Sequence, residues 1–156
     1  EIRLSLVGSE MCIRDRDNTL NEFACSITLI TDTVKELRQI EEQKAISASE
    51  GRHDKMDEFL KQEQVFLLKL RGLEQSRLRC MEAMGWKDLT FRGILSGLPK
   101  AQKERLLPLF TDLDRELGLL LDAKDSAQRI ITLRLAEFQQ ALLKRGQSNQ
   151  LFERKA

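Results

Sequence analysis

Apolar side chains recur every three or four residues along most of this 156-residue chain, and that spacing limits what it can fold into. After Asp17 they form a stripe that runs through Leu20, Phe23, Ile27, Ile30, Val34 and Leu37. Because an α-helix turns once every 3.6 residues, these steps place all six side chains on one face. The pattern predicts an amphipathic helix that begins at about Asp17 and buries this face.

A second, wider stripe predicts a second long helix. It begins near His53 and repeats at intervals of seven residues through Phe59, Phe66, Leu73 and Cys80. Gly51 and Gly85 stand where the first and second helices should end, because glycine readily adopts the left-handed conformation past a helix C-terminus. The width of the stripe suits a helix that contacts two neighbours.

The rest of the chain predicts a connection and a third long helix. The stretch WKDLTFRGILSGLP indicates one short helix with Asp88 as its cap. The last helix should start between Pro99 and Pro108 and end near Gly146. The predicted fold is therefore all-α. It is an elongated antiparallel three-helix bundle, or a helical hairpin with a long C-terminal helix and a short connecting helix. Residues 17–146 form this domain, and residues 147–156 a flexible tail.

Composition excludes several classes of protein. The formal net charge is only +1, with basic and acidic residues interleaved, so there is no footprint for nucleic acid or for an anionic membrane surface. No apolar run approaches the length of a membrane span. The three cysteines are too few and too scattered for a disulfide framework. We expect a protein of a reducing compartment that binds no nucleic acid and inserts into no membrane.

Groups that could perform chemistry are sparse. His53 is the only histidine, so paired imidazole ligands for a metal are excluded, and we interpret it as a surface residue near a helix start. Cys25 and Cys80 are predicted to be small core residues rather than nucleophiles. The adjacent Glu41 and Glu42 should form surface ion pairs instead of an acid–base pair. The sequence thus predicts no enzymatic activity, no metal, no cofactor and no small-molecule substrate.

The first sixteen residues follow a different pattern. The stretch LVGSEMCIRDR (Leu6 to Arg16) resembles a translated sequencing-library adapter without a mismatch, and Ser5 is compatible with the same reading frame. The short apolar run from Leu4 to Val7 is followed at once by charges, which does not fit a signal peptide. We predict that residues 1–16 are a non-native, adapter-derived segment that is disordered or an arbitrary helical extension. The native start codon should then be missing.

The last helix carries more apolar side chains than one face can hold. One row consists of Ile131, Leu135, Phe138 and Leu142, and Ile130 and Leu133 lie beside it. Two interpretations remain open at this point. These residues pack on the bundle or on a second copy, or they are presented to a partner helix.

One stretch is similar to a known family. KQEQVFLLKLRGLEQSRLRCMEAMGW (Lys61 to Trp86) resembles the core of the FlgN-like flagellar export chaperones. The features that carry the similarity are Glu63, Leu67, Leu68, Leu70, the pair Leu73-Glu74, Arg77 and Gly85. The following segment from Leu89 to Leu117 resembles the family's linker, with a short helix, a Leu-Pro and a charged start to the last helix.

The resemblance implies a cytoplasmic chaperone without a cofactor. Such chaperones bind the C-terminal amphipathic helix of hook–filament junction proteins, keep these clients unassembled and deliver them to the flagellar type III export apparatus. The family's last helix binds the client, which is where this chain has its apolar surplus. The expected client-binding residues are Ile130, Ile131, Leu133, Leu135, Phe138 and Leu142. The alternatives are a self-associating coiled-coil structural or assembly protein, and a secretion chaperone for another client.

Overall fold

The computed structural model describes the backbone of residues 2–155 and the side chains of residues 13–154. Within that part of the chain there is no strand, and the prediction of an all-α helical bundle is confirmed. The long helices are α1 (Ile2–Ser49), α2 (Met56–Ala83) and α4 (Lys100–Lys155). A 3₁₀ turn (His53–Lys55) precedes α2, and the short α3 (Phe91–Ser96) connects α2 to α4.

Helices α1 and α4 run in the same direction, and α2 runs antiparallel to both. Arg105 donates a hydrogen bond to Asn21 at 2.6 Å near the start of both packed regions. Arg134 donates to the carbonyl of Ser49, where α1 ends. Both α2 and α4 pack against α1, but no Cα pair joins α2 to α4 within 8 Å over the described residues. The bundle is therefore built around α1, with its two partners splayed apart.

The core lies at the end of the bundle where α3 crosses. Phe23 is fully buried and meets Trp86 and Phe110 edge-to-face, with ring centroids 5.5 and 6.0 Å away. Phe91 of α3 stacks on Phe110 at 4.2 Å. The six-residue stripe predicted for the first helix is buried throughout, which confirms that part of the predicted core. These rings join α1, α3, α4 and the loop after α2.

The stripe on α2 is buried only in part. Cys80 and Met81 belong to the core, whereas Phe59 and Phe66 are half-buried. Leu67 is 49% exposed, since it lies outside the face that contacts α1. The face of α2 that reaches the core is therefore narrower than its apolar pattern predicts.

Glycine ends both α1 and α2, as predicted. Gly51 and Gly85 have φ angles of +70° and +75°. The amide of the residue after each glycine donates back into the last turn, Arg52 to Ser47 at 2.8 Å and Trp86 to Met81 at 2.7 Å. These bonds satisfy carbonyls that would otherwise lack partners at the helix ends.

The predicted cap of the short helix is wrong. The Thr90 hydroxyl, not Asp88, accepts the hydrogen bond from the Gly93 amide at 3.2 Å. Thr90 takes this role because it stands in the extended conformation immediately before α3, where a side-chain oxygen can reach the first free amides.

The first helix begins earlier than predicted, at Ile2 rather than about Asp17. Most residues of the opening segment are compatible with a helix, and nothing in it breaks one, because a single interior glycine costs only about 1 kcal/mol. From residue 13 onward, the first buried side chain is Leu20, and Ile13 is 59% exposed. The side-chain contacts of residues 1–12 lie outside the described residues. The adapter origin of residues 1–16 stays a prediction.

The last helix also extends beyond its predicted end. It continues through Gly146 to Lys155, so the predicted stop near Gly146 is wrong. Gly146 does not adopt a positive φ, and the stretch after it contains no proline. The flexibility of residues 147–156 stays a prediction, and Ala156 lies outside the described residues.

One ion pair beside the core should give a small pH dependence of stability. Arg77 donates to Glu74 at 2.8 Å, and this hydrogen bond lowers the pKa of the Glu74 carboxyl. A lowered pKa contributes stability at neutral pH that is lost as the pH falls through it. Because Glu74 is partly exposed, we expect Glu74→Gln to lower the free energy of unfolding at neutral pH by less than about 1 kcal/mol.

Urea titrations at neutral and acidic pH would measure this effect. The difference between Glu74→Gln and wild type should shrink in acid, where the carboxyl is protonated. A difference of the same size at both pH values would contradict the role of the ion pair.

Candidate partner-binding site

Beyond Leu37 the buried face of α1 contains the charged residues Glu41 and Lys44 beside the apolar Ile40 and Ala48. The Lys44 ammonium donates to Glu41 of α1 and Glu63 of α2, each at 2.9 Å. Burial alone would lower the pKa of Lys44, but the hydrogen bonds to the two carboxylates outweigh it and raise the pKa. Glu41 is only 3% exposed, so its predicted surface position is wrong. The reason is that Glu41 lies between α1 and α2, where Lys44 pairs with both Glu41 and Glu63.

The exposed pair predicted next to Glu41 does form. The Arg38 guanidinium donates to Glu42 at 2.7 Å on the solvent side of α1. It also reaches Glu116 of α4 at 3.3 Å. The two adjacent glutamates therefore serve different interfaces, and neither forms an acid–base pair with the other.

Helix α4 continues well beyond the end of α1. Every described side chain from Thr132 to Arg154 is exposed. We call residues 132–154 the overhang. At 1.5 Å per residue the overhang is roughly 35 Å long. It is the longest run of exposed side chains in the described part of the chain.

Arg134 fixes the base of the overhang to the bundle. Its guanidinium donates to the Ser49 carbonyl at 2.6 Å and to Glu137 at 3.0 Å. Ser49 is the last residue of α1, where carbonyls lack helical partners and carry partial negative charge. A cation at this position is therefore favourable.

A groove opens beside this contact, between the end of α1, the start of α2 and the base of the overhang. Its volume is ≈ 400 Å³, and its walls are mainly apolar. It is lined by Ala48, His53, Met56, Ile131, Arg134, Leu135 and Phe138. This volume lies in the range of sites that hold a ligand group or several large side chains. The groove can thus accept apolar side chains but offers few groups for chemistry.

The structure separates the six predicted site residues into three sets. Ile131, Leu135 and Phe138 line the groove. Leu142 is 52% exposed and continues the same row along the overhang. Ile130 is half-buried, and Leu133 is 60% exposed, but neither lines the groove. The row predicted from the spacing is therefore contiguous with a concave surface, whereas its two flanking residues lie elsewhere.

The apolar spacing of α4 does not predict the other residues that line the groove. Ala48 comes from α1, Met56 from the start of α2, and Arg134 from α4 itself. The sequence predicts a surface position for His53 near a helix start. His53 is exposed there, and it also borders the groove. A short turn joins α1 to α2, so the start of α2, with Met56, must lie near the end of α1. This constraint could have placed Met56 near the part of α4 that reaches the end of α1.

The cysteines differ from each other. Cys80 is buried. Burial is the larger cause that raises the pKa of its thiol, and the negative charge of Glu22 is the next, so the thiol stays protonated at neutral pH. Cys25 is exposed, so its prediction as a core residue is wrong. It is exposed although its neighbours Ala24 and Ser26 are buried. Neither thiol lines the groove.

The described residues offer neither a cluster that could hold a metal nor a helix that could span a membrane. No cluster of three or more His, Cys, Asp or Glu side chains there could hold a metal ion. None of the described helices contains a stretch that is both long and apolar enough to cross a membrane. The groove and the overhang remain the candidate functional surface.

Comparisons with protein-family models, curated proteins and solved structures found no match to this chain. The similarity to FlgN-like chaperones therefore depends on the residues quoted above.

Proposed function

We propose that this protein is a flagellar type III export chaperone. It binds the C-terminal amphipathic helix of hook–filament junction proteins in the cytoplasm and delivers these clients to the export apparatus. The observation that carries the proposal is the overhang, whose apolar row begins in a groove and continues into solvent. The sequence similarity of Lys61 to Trp86 supplies the class of client.

The overhang has the dimensions and chemistry for helix-in-groove recognition. Leu135, Phe138 and Leu142 are 57%, 61% and 52% exposed, so a partner helix can cover much of each side chain. Full burial of such a residue contributes roughly 1.5–3 kcal/mol. A few of these contacts, less the cost of ordering the client, give useful but reversible binding.

Reversible burial suits an export client. A client helix that self-associates must be covered before assembly and released intact at the export apparatus. Apolar contacts achieve both without a covalent step or a cofactor. The buried end of the bundle around Phe23 holds α4 in place, and the open end is left for the client.

Charge substitutions in the row test the proposal. We expect Leu135→Asp and Phe138→Asp each to abolish binding of a purified hook–filament junction protein. The new carboxylate would be buried against the apolar face of the client helix without an opposite charge, which is strongly unfavourable. The matched control is Leu143→Asp, which changes another exposed leucine (68%) that lies off the row and should bind like wild type. Isothermal titration calorimetry measures the affinities, and circular dichroism measures helicity.

Two results would contradict the proposal. If the row variants lose helicity along with binding, the residues belong to the core. If Leu143→Asp weakens binding as much as the row variants do, the row is not the binding surface.

The competing function is self-association through the same row. Light scattering of the isolated protein separates the two, because the chaperone should form a 1:1 complex with its client from a monomer. A stable trimer or tetramer without client would favour a structural coiled-coil protein. A secretion chaperone for another client would instead bind that client and not the junction protein.

A further inference from the structure

The apolar row belongs to a longer heptad pattern that includes two polar residues. Steps of four and three residues alternate without interruption through Ile131, Leu135, Phe138, Leu142, Arg145, Asn149 and Phe152. We call these seven residues the seam. Alternating steps of this kind keep all members on one face that winds against a partner helix. A partner that covers the seam from end to end therefore also covers Arg145 and Asn149.

Arg145 makes the seam selective. Its side chain is exposed in the free protein, where water solvates the guanidinium. Covering it with an apolar helix removes that water, and a buried charge without an opposite charge is strongly unfavourable. The nearest carboxylates along the helix are Glu137, which pairs with Arg134, and Glu153. From Phe138 to Phe152 the chain has two basic residues and no acidic one, so the missing carboxylate must come from the partner.

A second copy of this chain does not supply that carboxylate. None of the seven seam residues is acidic. Parallel pairing in register would place the two Arg145 guanidinium groups against each other. Antiparallel pairing would place Arg145 against an apolar or amide side chain of the other seam. Pairing between two copies therefore leaves a covered charge without a partner, whereas a different helix can provide one.

We propose that the overhang binds a partner helix that carries one Asp or Glu within its own apolar stripe, opposite Arg145. This inference rests on the proposed function and specifies which client helices the site accepts. The ion pair fixes the register of the two helices and disfavours both self-pairing and purely apolar helices, as polar seam residues do in coiled coils. Asn149, one heptad after Leu142, adds a second polar position to the same register.

Two synthetic peptides provide the test. Both are amphipathic helices with leucine and isoleucine at alternating steps of three and four residues, and they differ at one central stripe position, which is Glu or Lys. Fluorescence anisotropy measures their binding to the full-length protein and to Arg145→Glu. We expect wild type to prefer the Glu peptide by about tenfold or more, and Arg145→Glu to prefer the Lys peptide.

Arg154→Glu is the matched control. It makes the same charge change on the overhang at an exposed residue outside the seam, and it should keep the wild-type preference for the Glu peptide. If Arg154→Glu reverses the preference as Arg145→Glu does, the effect is one of net charge and the inference is wrong.

The remaining outcomes separate this inference from the proposed function. Equal binding of both peptides to wild type and to Arg145→Glu, with loss of binding in Phe138→Asp, would overturn the role of Arg145 and leave helix binding by the overhang intact. If neither peptide binds wild type, helix binding by the overhang is itself wrong, and the inference fails with it.

Discussion

Replacing Phe23 by alanine should destabilise the fold by about 3–5 kcal/mol, the usual cost of removing a fully buried aromatic ring. Phe23 is completely buried and is the ring that both Trp86 and Phe110 contact edge-to-face. Its loss leaves a cavity at the point where α1, α4 and the loop after α2 meet. A bundle of this size cannot readily close such a cavity, because Phe110 is also held by its stack on Phe91.

Chemical denaturation followed by circular dichroism measures this effect. Phe138→Ala is the matched control, because it removes the same ring from a side chain that is 61% exposed. We expect Phe138→Ala to change the free energy of unfolding by less than about 0.5 kcal/mol. If both substitutions destabilise strongly, Phe138 is packed, which would contradict the exposed overhang. If both have small effects, Phe23 is not part of the core.

The second large effect is expected at Lys44. Lys44→Met should lower the free energy of unfolding by about 3–5 kcal/mol, because it removes the cation that pairs with both the buried Glu41 and Glu63. Methionine is unbranched and similar in length to the lysine stem, so the loss is mainly electrostatic. The raised pKa of Lys44 means that its contribution is fully present at neutral pH and is lost only as the pH rises through that raised value.

Urea unfolding of Lys44→Met and Lys35→Met separates buried from surface pairing. Lys35 also contacts two carboxylates, Asp32 and Asp112, but its side chain is 36% exposed. We expect Lys35→Met to cost less than about 1 kcal/mol. Adding Glu41→Gln and Glu63→Gln to Lys44→Met should restore part of the stability. If Lys44→Met destabilises the protein no more than Lys35→Met does, the buried cluster around Lys44 is contradicted.

Much of the fold could be predicted because its signals are local. The apolar steps from Leu20 to Leu37 define the buried face of α1, and glycine at positions 51 and 85 defines helix ends through backbone geometry. Each of these depends on neighbours within a turn or two. Gly146 does not end a helix, although the sequence predicts that it does. A glycine ends a helix where it adopts a positive φ, and Gly146 does not.

The burial of Glu41 could not be predicted, because it depends on a neighbour in α2. Glu41 continues the buried stripe four residues after Leu37, but a glutamate at such a position predicts exposure unless a partner on another helix is known. Its environment is set by Lys44 and Glu63, and Glu63 is distant in sequence. Cys25 is the opposite case, since it lies between two buried residues and is still exposed.

The candidate site could be predicted only in part for the same reason. The spacing of Ile131, Leu135 and Phe138 identified one wall of the groove. The other wall, from Ala48 and Met56, exists because α1 ends at the height where Arg134 meets Ser49. The position at which α1 ends beside α4 depends on how the helices pack, and the apolar pattern of a single helix does not predict it.

Hydrogen exchange of the overhang tests the central claim most directly. Amides of residues 139–154 should exchange quickly in the free protein, because the described side chains there are exposed and lie beyond the contact of Arg134 with Ser49. Adding a peptide of the C-terminal helix of a hook–filament junction protein should slow exchange along the overhang and at the start of α2 beside Met56. The amides around Phe23 should not change. Unchanged exchange along the overhang at saturating peptide, with protection elsewhere, would contradict the claim that the overhang is the partner-binding surface.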